Sequence, residues 1–395
     1  MMATGLNLDV LFVIVSYSDW STLLTLMLTS HQLNREAAKF ILKDRRLEAM
    51  IEIDGLGEQR AKSFVSFVRA GGGRSRYLRS LAIGGTKLSS EVSEGFSDII
   101  CQATNLKRLR LTNAERSLDN HPNILVALAS IHTIEELYVS RPGMLMYQLL
   151  DSAHWPLQYA EVVHGGANIG MNPIDLIRPI VCPTLEELVL QKWPYRIPSF
   201  PFPNSPRLKR LVLARSKAPT IASWAKLFPK VKELVARLPL SPNSPHPTRG
   251  PPAPPYVLRA CDRRVHDHNA MENRHSATHP TWPFLHACYV PNLLQAYLLA
   301  LPCPVRTLVI DSMEHWSTRM FKDVMKRARP KELRIGGAYP EELIGHLRVG
   351  LECAGDSLQE LRRLSVYILE AENVPDDRPD IFATLVCLQA ATIVM

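Results

Sequence analysis

One cysteine and four histidines lie close together in the second half of the sequence and could, by residue type, bind a metal ion. They are Cys261, His266, His268, His275 and His279. Thiolate and imidazole are the usual ligands of structural zinc, and a closed site needs four of them at suitable spacing. The spacing here does not match that of a closed tetrahedral zinc site. The sequence therefore favours a solvated polar loop and predicts no metal.

Other residues that could support catalysis are isolated in the sequence. The glycine-rich segment GGGRSR at 71–76 lacks the lysine and the spacing of a phosphate-binding P-loop. The motifs HExxH, GxSxG and CxxC do not occur. The seven cysteines are scattered singly, so neither a zinc ribbon nor a disulfide framework is predicted. We therefore expect no enzymatic activity and no cofactor, and we expect reduced thiols in the cytoplasm or the nucleus.

Charge and hydropathy narrow the class of protein further. The chain of 395 residues is 46% hydrophobic and 21% charged, which is typical of a foldable globular protein. A formal charge of +8 permits an acidic partner. The basic residues are nevertheless spread out and are not interleaved with aromatic residues, so nucleic acid is not expected as a partner. No run of about 20 apolar residues occurs, so no membrane span is expected.

The strongest pattern in the sequence is a repeat of the form LxxLxL, in which isoleucine or valine also serves. Its middle apolar residue falls at nine places: Leu81, Leu109, Leu137, Leu188, Leu211, Leu234, Leu308, Leu333 and Leu364. Most steps between these leucines are close to the period of about 20–29 residues that is typical of leucine-rich repeats. The two longest steps predict further, degenerate copies centred on Ala160 and Cys288.

Each copy of the pattern predicts a short strand whose alternate side chains point inward and outward. Inward side chains of successive strands then stack into one continuous core, and a parallel ladder joins the strands. Apolar residues at three- and four-residue spacing predict helical return segments at Ser90–Ala103, Pro122–Ile131 and Ser317–Ala328. The predicted fold class is α/β, an irregular leucine-rich-repeat solenoid with a parallel strand ladder that follows an N-terminal three-helix unit.

The repeats are irregular at one position. Leucine-rich repeats usually place asparagine or cysteine shortly after the LxxLxL segment. Asn113 stands at that offset, but later copies have Lys192, Arg215 and Ser312 there. The curvature of the solenoid therefore cannot be predicted from the sequence.

The first 40 residues favour three short helices. Asn7 or Asp9 could start the first helix, Asp19 or Ser21 the second, and Ser30 the third. The second helix is apolar nearly all round, since it contains Leu23, Leu24, Leu26, Met27 and Leu28. Because so small a unit cannot bury this much apolar surface internally, we expect it to be sheltered by a partner or by the next domain.

This stretch, LNLDVLFVIVSYSDWSTLLTLMLTSHQLNREA, resembles an F-box. The residues that match the family pattern are Leu6, Leu8, Asp9, Val10, Leu11, Ile14, Asp19, Leu23, Leu24, Leu26 and Ser30. An F-box followed by irregular leucine-rich repeats resembles a group of fungal F-box proteins. The resemblance implies a non-catalytic substrate receptor of an SCF-type cullin-RING ubiquitin ligase, which docks on a Skp-family adaptor and binds a protein substrate through its repeats.

The residues that would contact the adaptor on this interpretation are Leu6, Leu8, Val10, Leu11, Ile14, Leu23 and Leu24. Asn7 and Ser18 stand where the family usually has proline and leucine. These departures support an alternative, a repeat scaffold that binds proteins without a ligase. A third hypothesis, nucleic-acid binding, rests on the charge of four arginines: Arg108, Arg110, Arg334 and Arg363.

The outward residues of the predicted ladder form a candidate surface for a protein substrate. The residues predicted at its centre are Arg110, Tyr138, Val189, Val212, Val235, Val309 and Arg334. Charged residues flank them, so the surface would combine an apolar anchor with a polar rim, as protein interfaces do. The alternative is that valine occurs here only because it favours strands.

The expected domain organisation follows from these assignments. Residues 1–45 form the F-box-like module and residues 46–77 a helical linker. Residues 78–370 form the solenoid, which a proline- and histidine-rich insertion interrupts at 238–283. Residues 371–395 would cap the last repeat, because their end, Asp380–Met395, is apolar and the open end of a solenoid must be covered.

Overall fold

The computed structural model of the chain divides into two compact units, Met1–Leu185 and Glu186–Met395. The structure describes residues 8–43, 57–71, 73–84, 88–165, 177, 180, 183–193, 207–214, 221–237, 260–275, 282–312, 316–337, 340–368 and 391–394. None of the helices among these residues is long and apolar enough to cross a bilayer.

The first unit contains eight described helices, one 3-10 turn and four strands. The helices are α1 (Leu8–Tyr17), α2 (Trp20–Thr29), α3 (His31–Lys43), α4 (Gly57–Arg69), α5 (Ser90–Gln102), α6 (Ala114–Asn120), α7 (Pro122–Ala129) and α8 (Met144–Ala153), with the 3-10 turn at Arg74–Tyr77. The strands are β1 (Ser80–Ile83), β2 (Arg108–Leu111), β3 (Glu136–Ser140) and β4 (Tyr159–Val163).

Polar caps start the second and third helices, as the sequence predicts. The Asp19 carboxylate accepts a hydrogen bond from the Thr22 backbone N–H at 2.8 Å and starts α2. The Ser30 hydroxyl oxygen accepts one from the Leu33 N–H at 3.1 Å at the start of α3. Each cap satisfies a backbone donor that has no partner inside the helix.

The four strands of the first unit form a parallel ladder in which the middle apolar residues are aligned. Leu81 pairs with Leu109, Leu109 with Leu137, and Leu137 with Ala160. All four residues are buried. The predicted degenerate copy around Ala160 is therefore confirmed as β4.

Side chains just before the strands tie each turn of the first unit to the previous one. The Thr133 hydroxyl donates to the Leu106 carbonyl at 2.6 Å, and the Thr184 hydroxyl donates to the Leu157 carbonyl at 2.8 Å. The buried Trp155 indole N–H donates to the Ile131 carbonyl at 2.9 Å. These bonds pair backbone carbonyls that the strand ladder leaves without a donor.

The second unit contains five described helices, a 3-10 turn and eight strands. The helices are α9 (Ile221–Leu227), α10 (Ala260–His275), α11 (Leu293–Leu299), α12 (Thr318–Ala328) and α13 (Pro340–Ala354), and the 3-10 turn is Gly355–Leu358. The strands are β5 (Glu187–Gln191), β6 (Arg210–Ala214), β7 (Glu233–Arg237), β8 (Leu285–Asn292), β9 (Val305–Ser312), β10 (Glu332–Gly337), β11 (Arg363–Ile368) and β12 (Ala391–Val394).

Seven strands of the second unit, β5 to β11, run parallel and again align their middle apolar residues. The aligned residues are Leu188, Leu211, Leu234, Cys288, Leu308, Leu333 and Leu364. The second predicted degenerate copy, around Cys288, is thus confirmed as β8. The last strand, β12, pairs antiparallel with β11, with Ile393 opposite Leu364. The predicted α/β leucine-rich-repeat-like solenoid is confirmed by these registers.

The position after the strands where leucine-rich repeats usually have asparagine or cysteine adopts a left-handed backbone conformation in three repeats. Asn113, Arg141 and Lys192 each lie two residues beyond the last inward residue of their strand, and each has a positive φ, at 57°, 49° and 55°. Asparagine tolerates this left-handed conformation better than most residues. The turn is therefore retained even where arginine or lysine replaces the expected asparagine.

The polar insertion differs from the predicted loop. Residues 260–275 form the helix α10 instead, and two of its asparagines are buried. The Asn269 side-chain amide donates to the Leu298 carbonyl at 2.7 Å, and the Asn273 amide donates to the Ala300 carbonyl at 2.7 Å. Because these partners lie at the C-terminal end of α11, the helix is held by hydrogen bonds rather than by an apolar stripe, which the sequence pattern does not reveal.

Candidate functional site

The N-terminal helices form a small core of their own. The side chains that share this core are Val15, Leu23, Met27, Leu33, Ala37, Ala38 and Ile41. Phe67 of α4 packs against the same cluster. The adaptor-contact assignment of Leu23 is therefore at odds with its position, since its side chain is 1% exposed and packs inside the module.

A second set of apolar side chains on the same helices faces outward. Val10 is 49% exposed, Ile14 42% and Leu24 43%. Val10 and Ile14 are four residues apart on α1 and so lie on one face of that helix. Sequence reasoning missed three further exposed members of this set: Val13, Tyr17 and Leu28. Their spacing relative to Val10 and Leu24 could have identified Tyr17 and Leu28.

Of the remaining predicted adaptor residues, one is partly buried, one is the first residue of α1, and one lies outside the described residues. Leu11 is partly buried against the module's core. Leu8 is the first residue of α1, and Leu6 lies outside the described residues, as does Asn7. Ser18, the other departure from the F-box pattern, follows the last residue of α1 and donates its hydroxyl to the Ile14 carbonyl at 2.7 Å.

Arg74 joins the helical module to the first repeat. Its guanidinium donates to the Phe67 carbonyl at 2.7 Å and to the Asn34 side-chain oxygen. The same group lies 4.7 Å from the centre of the Phe67 ring, a cation–π contact. Partial burial lowers the pKa of Arg74 below its usual value. The module is therefore attached to the repeats through a polar anchor on α3 and α4.

The outward row of the first unit is polar and aromatic from β2 to β4. Arg110 and Tyr138 are partly exposed on neighbouring strands, and the guanidinium lies 5.7 Å from the ring centre. Tyr138 in turn lies 5.0 Å from Tyr159, whose hydroxyl donates to the Glu161 carboxylate at 2.8 Å. A partner can reach all four of these side chains without any rearrangement of the sheet.

The outward row of the second unit is buried over most of its length. Val189, Val212, Val235 and Val309 are between 2% and 8% exposed. A partner cannot contact these valines in the present conformation, although the sequence places them at the centre of the candidate surface. Arg334 is exposed, and its guanidinium lies 3.0 Å from the Glu332 carboxylate.

Ionisable groups flank this valine row. Arg210 forms ion pairs with Glu187 at 3.2 Å and with Glu233 at 3.7 Å. Burial raises the pKa of Asp311 above its usual range, although a hydrogen bond from the Tyr367 hydroxyl at 3.0 Å opposes that shift. These charges border the valines and leave the second unit's row with an apolar centre that is closed to solvent.

One histidine of the predicted solvated loop, His266, is instead buried between helices of the second unit. His266 of α10 is 5% exposed and stacks on Tyr297, with ring centres 3.9 Å apart. Its two ring nitrogens lie 3.1 Å from the Asp267 carboxylate and 3.0 Å from that of Asp323. Asp323 also accepts a hydrogen bond from Arg327 at 2.9 Å.

This cluster joins three helices, α10, α11 and α12. Burial would raise the pKa of Asp323, but hydrogen bonds from His266 and Arg327 and the charge of Arg327 outweigh it and lower that pKa. Cys261, His268 and His275 lie on the same helix, and His279 lies outside the described residues. Within the part of the chain that the structure describes, no three metal-ligating side chains converge.

Comparisons with known proteins add little to this description. No protein-family profile matches the sequence, and no curated protein matches it. Among solved structures, the complex of Rad7 and Elc1 from yeast is similar with a TM-score of 0.36 and 14% identity, over 70% of this chain and 66% of that chain. An internalin, InlF, from Listeria monocytogenes is similar with a TM-score of 0.27 and 12% identity, over 87% of this chain and 97% of that chain.

Both TM-scores are low, so the fold assignment rests on the strand registers of the two units. Those registers establish a leucine-rich-repeat-like scaffold with a helical module at its N-terminal end. The surfaces that such a scaffold offers to a partner are the exposed apolar face of α1 and α2 and the outward edges of the two strand ladders.

Proposed function

We propose that this protein is a non-catalytic substrate receptor of an SCF-type cullin-RING ubiquitin ligase. On this proposal, α1 and α2 dock on a Skp-family adaptor, and the repeats bind a protein substrate. Two features support it: the resemblance of the first helices to an F-box and the scaffold that follows them.

The observation that carries the proposal is the exposed apolar face of α1 and α2. This face consists of Val10, Val13, Ile14, Tyr17, Leu24 and Leu28. Fully burying an exposed side chain of this size contributes about 1.5–3 kcal/mol, so burial of this set against a partner would favour docking. The module retains its own core behind this face, so docking would not require it to unfold.

The resemblance to an F-box and the packing of the helices together indicate different roles for the predicted adaptor residues. Val10, Ile14 and Leu24 are exposed and would contact the adaptor. Leu23 would act indirectly, because it holds α2 against α1 and α3 within the core. On the substrate side, Arg110 and Tyr138 are the predicted residues of the first unit that a substrate could reach.

Co-purification with a Skp-family adaptor tests this proposal. Val10→Glu combined with Ile14→Glu places two charges on the exposed face and should abolish co-purification without unfolding the chain. Val126→Glu combined with Met144→Glu is the matched control, because both residues are exposed apolar side chains on α7 and α8. If the first pair of substitutions leaves co-purification intact, the adaptor assignment is wrong.

A repeat scaffold without a ligase is the second candidate. The contacts of Arg74 with Asn34 and Phe67 favour it, because they give the helical module a structural role on its own repeats. On this alternative, wild-type protein would not retain the adaptor, while Arg74→Ala would destabilise the first unit. The same purification distinguishes the two candidates.

A further inference from the structure

The strand ladder of the second unit has a row of basic residues at one edge. In each LxxLxL copy, the residue after the first apolar position lies immediately before or at the start of the strand. From β6 to β11 these residues are Lys209, Lys232, His286, Arg306, Lys331 and Arg362. All six are exposed. We call this set the basic row.

Backbone hydrogen bonds hold the basic row in register. The Lys331 N–H donates to the Arg306 carbonyl at 3.1 Å, and the Arg362 N–H donates to the Lys331 carbonyl at 2.8 Å. Further along the row, His286 and Lys232 are joined in the same way at 2.8 Å. Neighbouring strands lie about 4.8 Å apart, so successive side chains of the row are close enough to share one anion.

The row opens into a pocket at its C-terminal end. The pocket has a volume of about 750 Å³ and contains five cationic side chains: Arg306, Arg329, Lys331, Arg362 and Arg363. Two carboxylates, Glu332 and Glu360, also line it, which leaves an excess of three positive charges. Phe284, Pro304 and Val305 form an apolar part of the wall.

The two carboxylates of the pocket form ion pairs with Arg329 and Arg363. Glu360 lies 3.7 Å from Arg329, and Glu332 lies 3.7 Å from Arg363. Arg306, Lys331 and Arg362 have no ion-pair partner among the described residues. Three unpaired cations on adjacent strands, beside a concave wall, are an arrangement suited to a dianion.

We propose that this pocket binds a phosphomonoester group carried by an acidic polypeptide segment, with Arg306, Lys331 and Arg362 as its ligands. A phosphate alone would fill only a small part of the pocket, whose volume is typical of sites for larger organic ligands. The residues next to the phosphate would pack on Phe284 and Pro304. His286 and Lys232 would bind acidic residues further along the segment.

The lining favours a polypeptide over nucleic acid. A nucleic-acid strand carries a charge on every nucleotide and would meet Glu332 and Glu360 in the wall. Aromatic stacking is a usual feature of single-strand binding, and Phe284 is the single aromatic side chain among the lining residues. The inference rests on the proposed protein-binding role of the repeats but does not depend on the adaptor.

The test measures binding of the full chain to degenerate 12-residue peptides with a fixed central phosphoserine, by fluorescence anisotropy. The same library with serine in place of phosphoserine should bind at least about tenfold more weakly, because the charge-assisted bonds are lost. Increasing salt should weaken the phosphorylated library's binding. Equal affinity for the two libraries, or no binding of either, would overturn the proposal.

A matched pair of variants locates the site. Arg306→Gln, Lys331→Gln and Arg362→Gln together should weaken phosphopeptide binding at least about tenfold. The control replaces three exposed cations of α12 by glutamine, Arg319, Lys322 and Lys326, and should leave affinity within about twofold, since it removes the same net charge elsewhere. Equal losses in both triple variants would mean non-specific attraction and would overturn the assignment.

Two competitors distinguish other ligands. A 12-nucleotide single-stranded DNA that binds more tightly than the phosphopeptides, and loses binding in the first triple variant, would reassign the pocket to nucleic acid. Free phosphoserine that binds as tightly as the library would reassign it to small metabolites. Adaptor co-purification should be unchanged in the first triple variant, so failure here is separable from failure of the ligase proposal.

Discussion

The outward rows of the two units follow the same sequence pattern but form different surfaces. In the first unit the row contains Arg110, Tyr138 and Glu161, which are partly exposed and interact with one another or with Tyr159. In the second unit the corresponding positions are mostly valine and are buried. The LxxLxL pattern therefore specifies the strand and its inward side chains, but it does not specify whether the outward surface is accessible.

Because of this difference, the candidate binding surface of the second unit lies at the edge of its strand ladder rather than at the centre. Its valine row is closed to solvent, while the basic row at the edge of the ladder is exposed. The first unit instead exposes its polar and aromatic residues at the centre.

The largest expected effect is on stability, when an aspartate replaces one residue in the outward row of each unit. Val235→Asp should lower the free energy of unfolding by about 3 kcal/mol, because the carboxylate would be buried without a partner. Tyr138→Asp should cost only about 1 kcal/mol, through loss of the contacts with Arg110 and Tyr159. Urea unfolding followed by circular dichroism measures both values. Similar small losses in both variants would show that the valine row is accessible after all.

The two units share a hydrogen bond from a buried tryptophan to a backbone carbonyl. Trp282 donates to the Phe228 carbonyl at 2.7 Å, as Trp155 donates to that of Ile131 in the first unit. Trp→Phe at either position should cost about 2 kcal/mol, because a buried carbonyl loses its donor. Hydrogen-exchange mass spectrometry should show increased exchange confined to the unit that carries the substitution. Exchange that rises equally in both units would contradict this separation.

The stability that Asp323 gives the second unit should depend on pH. The lowered pKa of Asp323 means that its ionised form stabilises the fold above the unfolded pKa of about 4, and that this contribution is lost as the pH falls through the folded pKa. Asp323→Asn should therefore cost about 1 kcal/mol at pH 7, a value reduced by partial solvent screening. The cost should vanish well below pH 4. Urea titrations at several pH values give the comparison, and a cost that does not change with pH would refute it.

The smallest expected effect is that of Arg110→Ala, which removes the cation–π contact with Tyr138. It should cost about 0.5 kcal/mol, since the pair is partly exposed. Arg110→Lys is the control, because it retains the charge over the ring. If the protein's affinity for a substrate falls far more than its stability, Arg110 has a binding role in addition to its structural one.

Much of the repeat could be predicted because its signal is local and redundant. Nine leucines at near-regular spacing predicted nine strands, and the two irregular gaps predicted β4 and β8 around Ala160 and Cys288. The caps at Asp19 and Ser30 were also predictable, because an N-cap depends on residues within one turn. The helix α10 was not predicted, since Asn269 and Asn273 are buried through hydrogen bonds to α11 that no periodicity of apolar residues reveals.

The sequence by itself determined which residues alternate inward and outward, because a strand's side chains have a period of two. It could not determine how exposed the outward residues are, because exposure depends on neighbours from other turns of the chain. Only the tertiary structure showed that Val235 is buried while Tyr138 is accessible, and that Leu23 lies inside the module while Leu24 lies on its surface. The same holds for Arg306, Lys331 and Arg362, which are distant in sequence and adjacent only because parallel pairing stacks one turn on the next.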